Sequence, residues 1–284
     1  MAVSSLPASA NKPRSQLAGP WWAYALLIVG SVITAFPFVW MFLTSFKTFQ
    51  DVFLPGFWPV HPTLENYGTV LSQTGFPRWF FNSILVAAAT TVSVLFFDSL
   101  VGYTLAKLKF PGKEIVFVLI LSTLMVPTEM LVIPWYVSAV KLHLTDSYLA
   151  IAMPGLISAF GVFLMRGFFE GIPDELFDAA RIDGVSEFGL FWRIGLPLVK
   201  PALAALAIFS FLGNYNAYLW PLIIIGSPEM RTLPVGIALF SGEAGAQWHL
   251  IMTASSLAVI PVLAVFAFFQ KQIIEGVVLT GIKG

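Results

Sequence analysis

Six long apolar segments dominate the chain, and shorter polar stretches separate them. The segments cover about 21–44, 79–106, 115–138, 148–168, 201–225 and 250–270. Each can form a helix that crosses a bilayer, since a crossing takes about 20 mostly apolar residues. Because lipid cannot satisfy open backbone donors and acceptors, the pattern predicts an all-α polytopic membrane protein with six transmembrane helices.

Prolines interrupt most of these segments or lie at their edges. They are Pro37, Pro127, Pro134, Pro154, Pro221 and Pro261. Each proline removes a backbone donor, so neighbouring helices must compensate and the helices must pack together as one domain. The third segment, in which Pro127 and Pro134 flank Glu129, is expected to be irregular.

The first residues differ in character from the rest of the chain. Residues 1–20 are rich in Ser, Ala and Pro, which predicts a disordered cytoplasmic tail. The apolar segment that follows, 21–44, is longer than the 7–15 residues of a signal-peptide core and should be a retained helix. The membrane domain is therefore expected over 21–284.

The composition agrees with a lipid-embedded protein and excludes several kinds of chemistry. Hydrophobic residues make up 58% of the 284 residues and charged residues only 11%. The net charge is zero, which argues against nucleic acid as a partner. Cysteine is absent, which excludes disulfides, thiolate catalysis and cysteine-bound zinc. His61, His143 and His249 are far apart in sequence, so no metal site is expected.

The distribution of Lys and Arg predicts the orientation, because cytoplasmic loops carry an excess of these residues. With the N-terminus inside, the inner segments carry Lys12, Arg14, Lys107, Lys109, Lys113, Arg166, Arg181, Arg193, Lys200, Lys271 and Lys283. The outer loops then carry only Lys47, Arg78, Lys141 and Arg231. Both chain ends should therefore lie in the cytoplasm.

The segment 173–197 combines an acidic composition with the signals of two short helices. Pro173 suits a first helical turn, Gly184 suits a left-handed cap, and Ser186 can cap a second helix. The second helix should end at Leu196, before Pro197. In it, Phe188, Phe191, Trp192 and Gly195 have the spacing of one apolar stripe.

Six of the fifteen acidic residues lie in or beside this segment. They are Glu170, Asp174, Glu175, Asp178, Asp183 and Glu187. An amphipathic helix that lies on lipid usually carries Lys and Arg, and the anionic inner leaflet would repel an acidic one. The pattern favours docking onto a protein, with adsorption to lipid as the alternative.

The run Asp178-Ala179-Ala180-Arg181-Ile182-Asp183-Gly184, closed by Ile194-Gly195-Leu196-Pro197, resembles the EAA signature of ABC importer permeases. The chain is similar to the second, six-helix permease of the maltose-type carbohydrate importers, with a family core over about 79–270. Asp178 stands where that family usually has Glu, and Tyr215 where it often has Trp. The resemblance implies the transmembrane domain of a type I ABC importer.

This resemblance also implies a mechanism and a set of partners. Asp178, Ala179, Ala180, Arg181 and Gly184 would form a coupling helix on an ATPase subunit, and Pro197 would end the unit. The partners would be a second permease, two ABC ATPases and an extracytoplasmic solute-binding protein. ATP and magnesium would bind to the ATPases, since no P-loop motif occurs in this sequence. The chain is therefore expected to be neither an enzyme nor a cofactor-binding protein.

Polar residues within the apolar segments are candidates for a solute path. Glu129, with Asn214, Tyr215, Asn216 and Tyr218, could contact the solute; Asp98 is a weaker candidate. Alternatively, the carboxyl groups hold helices together and the amides form interhelical hydrogen bonds.

The expected cargo is a sugar or oligosaccharide. The alternatives are a glycerol-3-phosphate importer and an ion-coupled secondary transporter in which Asp98 and Glu129 relay protons. The outer loop 226–249 is expected to face the solute-binding protein, unless it is a simple connector.

Overall fold

Helices form most of the computed structural model, which describes residues 20–242 and 245–281. The α-helices are α1 (Trp21–Thr44), α2 (Glu65–Ser72), α3 (Phe76–Lys107), α4 (Lys113–Ser122), α5 (Val132–Lys141), α6 (Tyr148–Ala152), α7 (Ala159–Glu170), α8 (Asp174–Ile182), α9 (Glu187–Leu190), α10 (Leu196–Leu198), α11 (Lys200–Tyr215), α12 (Leu219–Ile224), α13 (Leu233–Ala238) and α14 (Trp248–Gly281). Short 3₁₀ turns cover Asp51–Phe53, Thr123–Met125, Thr128–Leu131, Met153–Gly155 and Pro228–Met230. The β-structure among the described residues is one antiparallel pair of two-residue strands, β1 (Ser241–Gly242) and β2 (Gly245–Ala246). Residues 1–19 of the predicted tail lie outside the described part.

Three helices are long and apolar enough to cross a membrane unbroken: Trp21–Thr44, Phe76–Lys107 and Trp248–Phe268. Three further stretches pass the same test of length and apolar content only as pairs of helices with a bend between them. The pairs are Lys113–Met125 with Thr128–Lys141, Tyr148–Gly155 with Ala159–Glu170, and Glu187–Leu198 with Lys200–Tyr215. If each pair counts as one crossing, the described residues form six, and the predicted all-α fold with six membrane crossings is confirmed.

The third predicted segment breaks where its prolines indicated. The two pieces meet at 93°, and Val126 and Pro127 are extended between them. A residue before proline is pushed out of the helical region, and proline has no N–H for the preceding turn. A continuous helix over 115–138 is therefore replaced by two half-helices.

The fifth predicted segment, 201–225, is also divided. Helix α11 ends at Tyr215, and α12 begins only at Leu219. Pro221 cannot donate a backbone hydrogen bond to Ala217, so one helix cannot run through this stretch intact. Before α11, the chain turns by 83° at Val199 and enters the segment that was predicted to be water-exposed.

Helix α3 is the centre of the packing, because α7 and α11 lie along it and α13 and α6 contact it. At one end of α3, a hydrophobic cluster joins α3, α7, the segment 177–191 and α11. Helix α14 packs against α11, α1 and α2. Most of α1 has no cover from this chain, and its most apolar stretch is 0% buried. The core thus centres on α3 and α7.

Candidate coupling elbow and solute cavity

Residues 173–198, called the elbow here, contain α8 and the helical stretch Glu187–Leu198, and this second stretch meets α11 at 83°. Pro173 precedes α8, and Gly184 adopts a left-handed conformation with φ of +82°. The Ser186 side chain accepts a hydrogen bond from the Gly189 N–H at 3.2 Å. These local features agree with the helix signals in the sequence.

The predicted end of the second elbow helix was wrong. A π turn over Phe191–Gly195 follows α9, and the helix continues through Pro197 to Leu198. In the π turn the Leu196 N–H bonds to the Phe191 carbonyl, one residue further back than in an α-helix. This wider turn shifts the backbone just before the proline, so Pro197 is accommodated instead of ending the helix.

Aromatic packing fixes the elbow to the membrane helices. Phe177 is fully buried, and its ring centroid lies 5.8 Å from that of Tyr103 on α3. Tyr103 also contacts Phe169 of α7 and Phe191 of the elbow, each at 5.4 Å between centroids. Burial of a Phe side chain contributes about 1.5–3 kcal/mol, so this cluster gives the elbow a firm attachment.

Lys107, at the end of α3, makes a second attachment. Its Nζ donates to the Ile172 carbonyl and to Asp174 Oδ1, both at 2.6 Å, and lies 5.2 Å from the centre of the Phe177 ring. The hydrogen bond from Lys107, and then its charge, lowers the pKa of Asp174. The sequence showed Lys107 only as an orientation signal, because its partners are more than 60 residues away.

Arg181 joins the two helices of the elbow. Its Nε and Nη2 donate to the two carboxylate oxygens of Glu187 at 2.7 and 3.2 Å, and its Nη1 donates to Asp178 Oδ1 at 2.7 Å. The hydrogen bond to Arg181 lowers the pKa of Glu187, and the same contact raises the pKa of Arg181. Asp178 is therefore already paired inside this chain.

Replacing Arg181 by Met should loosen the elbow. We expect a loss of about 1 kcal/mol in the free energy of unfolding, since the side chains of Asp178 and Glu187 are 65% and 48% exposed and solvent screens both ion pairs. Because the folded state lowers the pKa of Glu187, the contribution is present above its ordinary value of 4.5 and disappears at more acid pH. Thermal unfolding at pH 7 and at low pH measures both effects.

Arg193→Met provides the matched control. Arg193 lies on the same helix pair, is exposed, and forms no ion pair with the residues that the structure describes. Equal losses for the two variants would contradict the bridging role of Arg181.

The outer surface of the elbow mixes acidic and apolar groups. Ala179 and Gly184 are exposed, and Ile182 is 87% exposed. Phe188 and Trp192 are also exposed, and their rings stack with 6.3 Å between centroids. The predicted apolar stripe is therefore split, since its other two members, Phe191 and Gly195, are buried. The elbow presents an amphipathic surface rather than a purely acidic one.

A cavity of about 400 Å³ lies where three of the broken helices meet. Its walls come from 123–135, 154–160 and 206–214, with Val94 of α3. The polar residues in the walls are Thr123, Thr128, Ser158, Ser210 and Asn214. Several wall residues remain exposed, such as Thr128 and Phe209, so this chain alone does not close the cavity.

Of the predicted path residues, Asn214 is the one that lines this cavity. Its Nδ2 donates to the Ser210 carbonyl at 2.9 Å, and its Oδ1 lies against Gly155. A Cβ at Gly155 would be only 2.2 Å from that oxygen, so the glycine makes room for the amide. Glu129 is exposed and follows Thr128 in the broken turn, but it is not a wall residue.

The other path candidates lie elsewhere. Tyr215 is 2% exposed, and its hydroxyl donates to the Ala258 carbonyl at 2.9 Å, so neither ring face is open to a solute. Asn216 donates to the Leu212 carbonyl at 2.9 Å, and Tyr218 is 44% exposed. Neither lines the cavity. Ser158, Ser210 and Thr128 carried no signal in the sequence, because hydroxyl residues are common in membrane helices.

Asp98 holds α3 against the start of α7. Its side chain is fully buried, and both of its carboxylate oxygens accept the Ser158 N–H at 3.1 Å. The crossing is close, since a Cβ at Gly161 would be 2.0 Å from Asp98 Oδ2. This geometry matches the alternative in which the carboxyl group holds helices together.

The N-terminal end of α3 fixes part of the loop 226–249. Asn82 donates through Nδ2 to the carbonyls of Glu229 and Arg231, both at 2.8 Å, and accepts from the Tyr148 hydroxyl at 2.7 Å. Ser83 Oγ accepts the Leu233 N–H at 2.7 Å. The loop therefore presents a fixed backbone at the N-terminal end of α3, and the C-terminal end of the same helix contacts the elbow.

Comparisons with known proteins agree on one family. Residues 98–278 match the family described as "Binding-protein-dependent transport system inner membrane component". The arabinooligosaccharides transport system permease protein AraQ of Bacillus subtilis is 40% identical over 260 residues, which cover 89% of this chain and 92% of AraQ. The sn-glycerol-3-phosphate transport system permease protein UgpE of Yersinia enterocolitica is 34% identical over 267 residues, covering 90% and 95% of the two chains.

Solved structures show the same fold. A chain of a bacterial ABC transporter involved in the import of the acidic polysaccharide alginate superposes with a TM-score of 0.78 at 24% identity, covering 94% of this chain and 99% of the other. A chain of a bacterial alginate ABC transporter, solved in complex with an alginate pentasaccharide-bound periplasmic protein, gives 0.63 at 13% identity and covers 87% and 92%.

Proposed function

The chain belongs to the family of binding-protein-dependent transport system inner membrane components, and on that basis we propose that it is the permease subunit of an ATP-driven ABC importer for a sugar or oligosaccharide. Members of this family are membrane permease components and not enzymes. The observation that carries the proposal is the elbow, a water-accessible surface fixed to two helices that also reach a cavity.

The elbow is suited to receive force from another protein. The sequence has no P-loop motif, so the energy of ATP must come from separate subunits, and we propose two ABC ATPases. Small exposed residues such as Ala179 and Gly184 allow close approach of a partner backbone, and Ile182 offers an apolar contact. In the orientation predicted from the distribution of Lys and Arg, the elbow and both chain ends face the cytoplasm.

Movement of the elbow can reach the cavity through packed side chains. The cluster that holds Phe177 and Phe191 also contains Val94 and Leu206, and the last two line the cavity. Helix α7 begins at the cavity and ends next to α8 of the elbow. A rigid-body shift of the elbow would therefore tilt a cavity wall, as alternating access requires.

The exposed cavity walls and the fixed outer loop support two further partners. A second permease would close the open side of the cavity, since Phe209 is 60% exposed there. A solute-binding protein would contact the outer loop 226–249. The alginate transporter chain in complex with a periplasmic protein has the same fold, which supports this assignment.

The proposal is tested with the complete complex in liposomes. We expect the tagged chain to copurify with a second permease and ATPases, and the complex to take up a sugar only when ATP is supplied to the ATPase side. A proton or sodium gradient without ATP should drive no uptake. Gradient-driven uptake by the purified chain alone would instead support a secondary transporter.

A further inference from the structure

A separate pocket of about 360 Å³ lies where α1 ends and α14 begins. The residues that form its walls are Trp40, Thr44, Lys47, Val52, Phe53, Trp248 and Met252. Thr44 is the last residue of α1 and Trp248 is the first of α14, and both helices are membrane spans. This pocket, called the lysine pocket here, therefore lies at a boundary of the bilayer, where lipid headgroups are found.

The lysine pocket has a polar base and an aromatic rim. Lys47 is 2% exposed and Thr44 is 4% exposed, so both polar side chains belong to the base. Trp40, Phe53 and Trp248 are exposed and form the rim. Tryptophan is enriched at the level of the headgroups, because its ring is apolar while its N–H can reach water. The rim is therefore of the kind that contacts lipid.

The ammonium group of Lys47 has no counter-ion among the described residues. Its Nζ donates to the Gly56 carbonyl at 2.8 Å and lies 5.2 Å from the centre of the Trp40 ring. None of the ion pairs among the described residues includes Lys47. Asp51, the next acidic residue in sequence, is bonded to His61 at 2.7 and 3.1 Å. A buried charge without an anion is costly, and a bound anion would remove that cost.

The base of the pocket suits a group that only accepts hydrogen bonds. An ammonium group has three donors, and the Gly56 carbonyl takes one of those of Lys47. Within the part of the chain that the structure describes, no hydrogen bond occupies the Thr44 hydroxyl. A phosphodiester carries one negative charge and accepts without donating, so it can pair with Lys47 and Thr44 together. The walls contain no carboxylate for the ammonium group of a zwitterionic headgroup.

The surface of α1 next to the pocket can hold an acyl chain. Phe36 and Ile33 precede Trp40 by four and seven residues, so they lie on the same face of the helix. Both side chains are more than half exposed, and no part of this chain covers them. A lipid with its headgroup at Lys47 could therefore lay its tail along this face. A free phosphate ion would lack this second contact.

We propose that the lysine pocket binds the phosphodiester headgroup of an anionic phospholipid such as phosphatidylglycerol, with Lys47 and Thr44 as the donors. In the predicted orientation, this lipid belongs to the outer leaflet of the cytoplasmic membrane. Its headgroup would join the end of α1, the loop at Gly56 and the start of α14. The site lies apart from the elbow and the solute cavity, so it does not depend on the cargo.

The test uses the tagged chain with the subunits that copurify with it, in detergent. Phosphatidylglycerol and phosphatidylcholine with the same acyl chains are titrated, and bound lipid is counted by native mass spectrometry. We expect phosphatidylglycerol to bind at least about fivefold more tightly, since a hydrogen bond to a charged group outweighs a neutral one. It should also raise the unfolding temperature, because a ligand of the folded state stabilises it. Inorganic phosphate should not displace it.

Two variants and one control test the donors. Lys47→Met keeps the length of the side chain without its charge and should weaken phosphatidylglycerol binding at least about tenfold. Thr44→Val keeps the shape of the side chain and should weaken binding about threefold, with little folding risk because the hydroxyl is not bonded within the described residues. Lys141→Met removes an exposed cation on the same predicted side of the membrane and should change nothing.

Several outcomes would overturn the inference. They are equal binding of the two lipids by the unmodified complex, and the same phosphatidylglycerol affinity in Lys47→Met, Thr44→Val and Lys141→Met. Displacement by inorganic phosphate would show a site for free anions instead. A structure of the complex with a carboxylate of another subunit on Lys47 would show a protein contact in place of a lipid. All of these would leave the importer proposal intact, because ATP-driven uptake tests it separately.

Discussion

Gly184→Asp should abolish ATP-driven uptake and release the ATPase subunits, while the chain still folds and inserts. Gly184 has φ of +82°, and a Cβ there would meet nothing within 4 Å inside this chain. Asp tolerates this backbone region better than most residues, so the internal cost is small. The new carboxylate would instead face the docked ATPase. An unpaired carboxylate at the centre of an interface costs about 2 kcal/mol or more, roughly a 30-fold loss of affinity.

Gly112→Asp is the matched control for this variant. Gly112 also has φ of +82° with open space around its Cβ, and it lies in a different turn on the same predicted side of the membrane. Copurification of the ATPases and uptake in liposomes should be close to normal for Gly112→Asp and lost for Gly184→Asp. Normal ATPase association of both variants would refute the coupling role of the elbow.

Gly161→Ala should disrupt the contact between α3 and α7 at the cavity. The added Cβ would lie 2.0 Å from Asp98 Oδ2, and neither helix can move away easily because both belong to the packed core. Overpacking of this kind costs about 1–3 kcal/mol and sometimes more. We expect a lower unfolding temperature in detergent and strongly reduced uptake, because the displaced carboxylate no longer holds the start of α7.

Gly167→Ala tests the same exchange elsewhere on the same helix. A Cβ at Gly167 meets nothing within 4 Å, so alanine should be neutral or stabilise the helix by up to about 1 kcal/mol. Unfolding curves of the two variants separate a local clash from a general effect of alanine in α7. A Gly161→Ala protein as stable and active as Gly167→Ala would contradict the close crossing at Asp98.

The sequence predicted the membrane helices well, because length and apolar content decide whether a segment spans a bilayer. It also predicted the break at Pro127, where a local steric rule applies. Pro221 was named as an interruption, but the break at 216–218 was not located, because a proline inside an apolar run does not show whether the helix kinks or ends. Nor was the π turn foreseen, since no residue pattern distinguishes it from an α-helix.

For the candidate sites, local signals succeeded and long-range pairings were missed. Gly184 and Ser186 could be assigned as caps because each acts on its own neighbours in sequence. The contacts of Lys107 with Asp174 and of Asp98 with Ser158 depend on helices that meet only after folding. Similarly, the period of a broken helix does not show which face turns to the cavity. The sequence singled out Asn214 and not Ser158, and both line the cavity.

The attachment of the elbow has a consequence for exchanging parts between permeases. The buried ring of Phe177 packs on Tyr103, and Asp174 accepts a hydrogen bond from Lys107. Both Tyr103 and Lys107 belong to α3. A chimera that receives only residues 173–198 would therefore combine the elbow of one permease with the α3 contact residues of another. Donor and recipient sequences would have to be joined before Tyr103, so that the transplanted piece includes its own residues at positions 103 and 107.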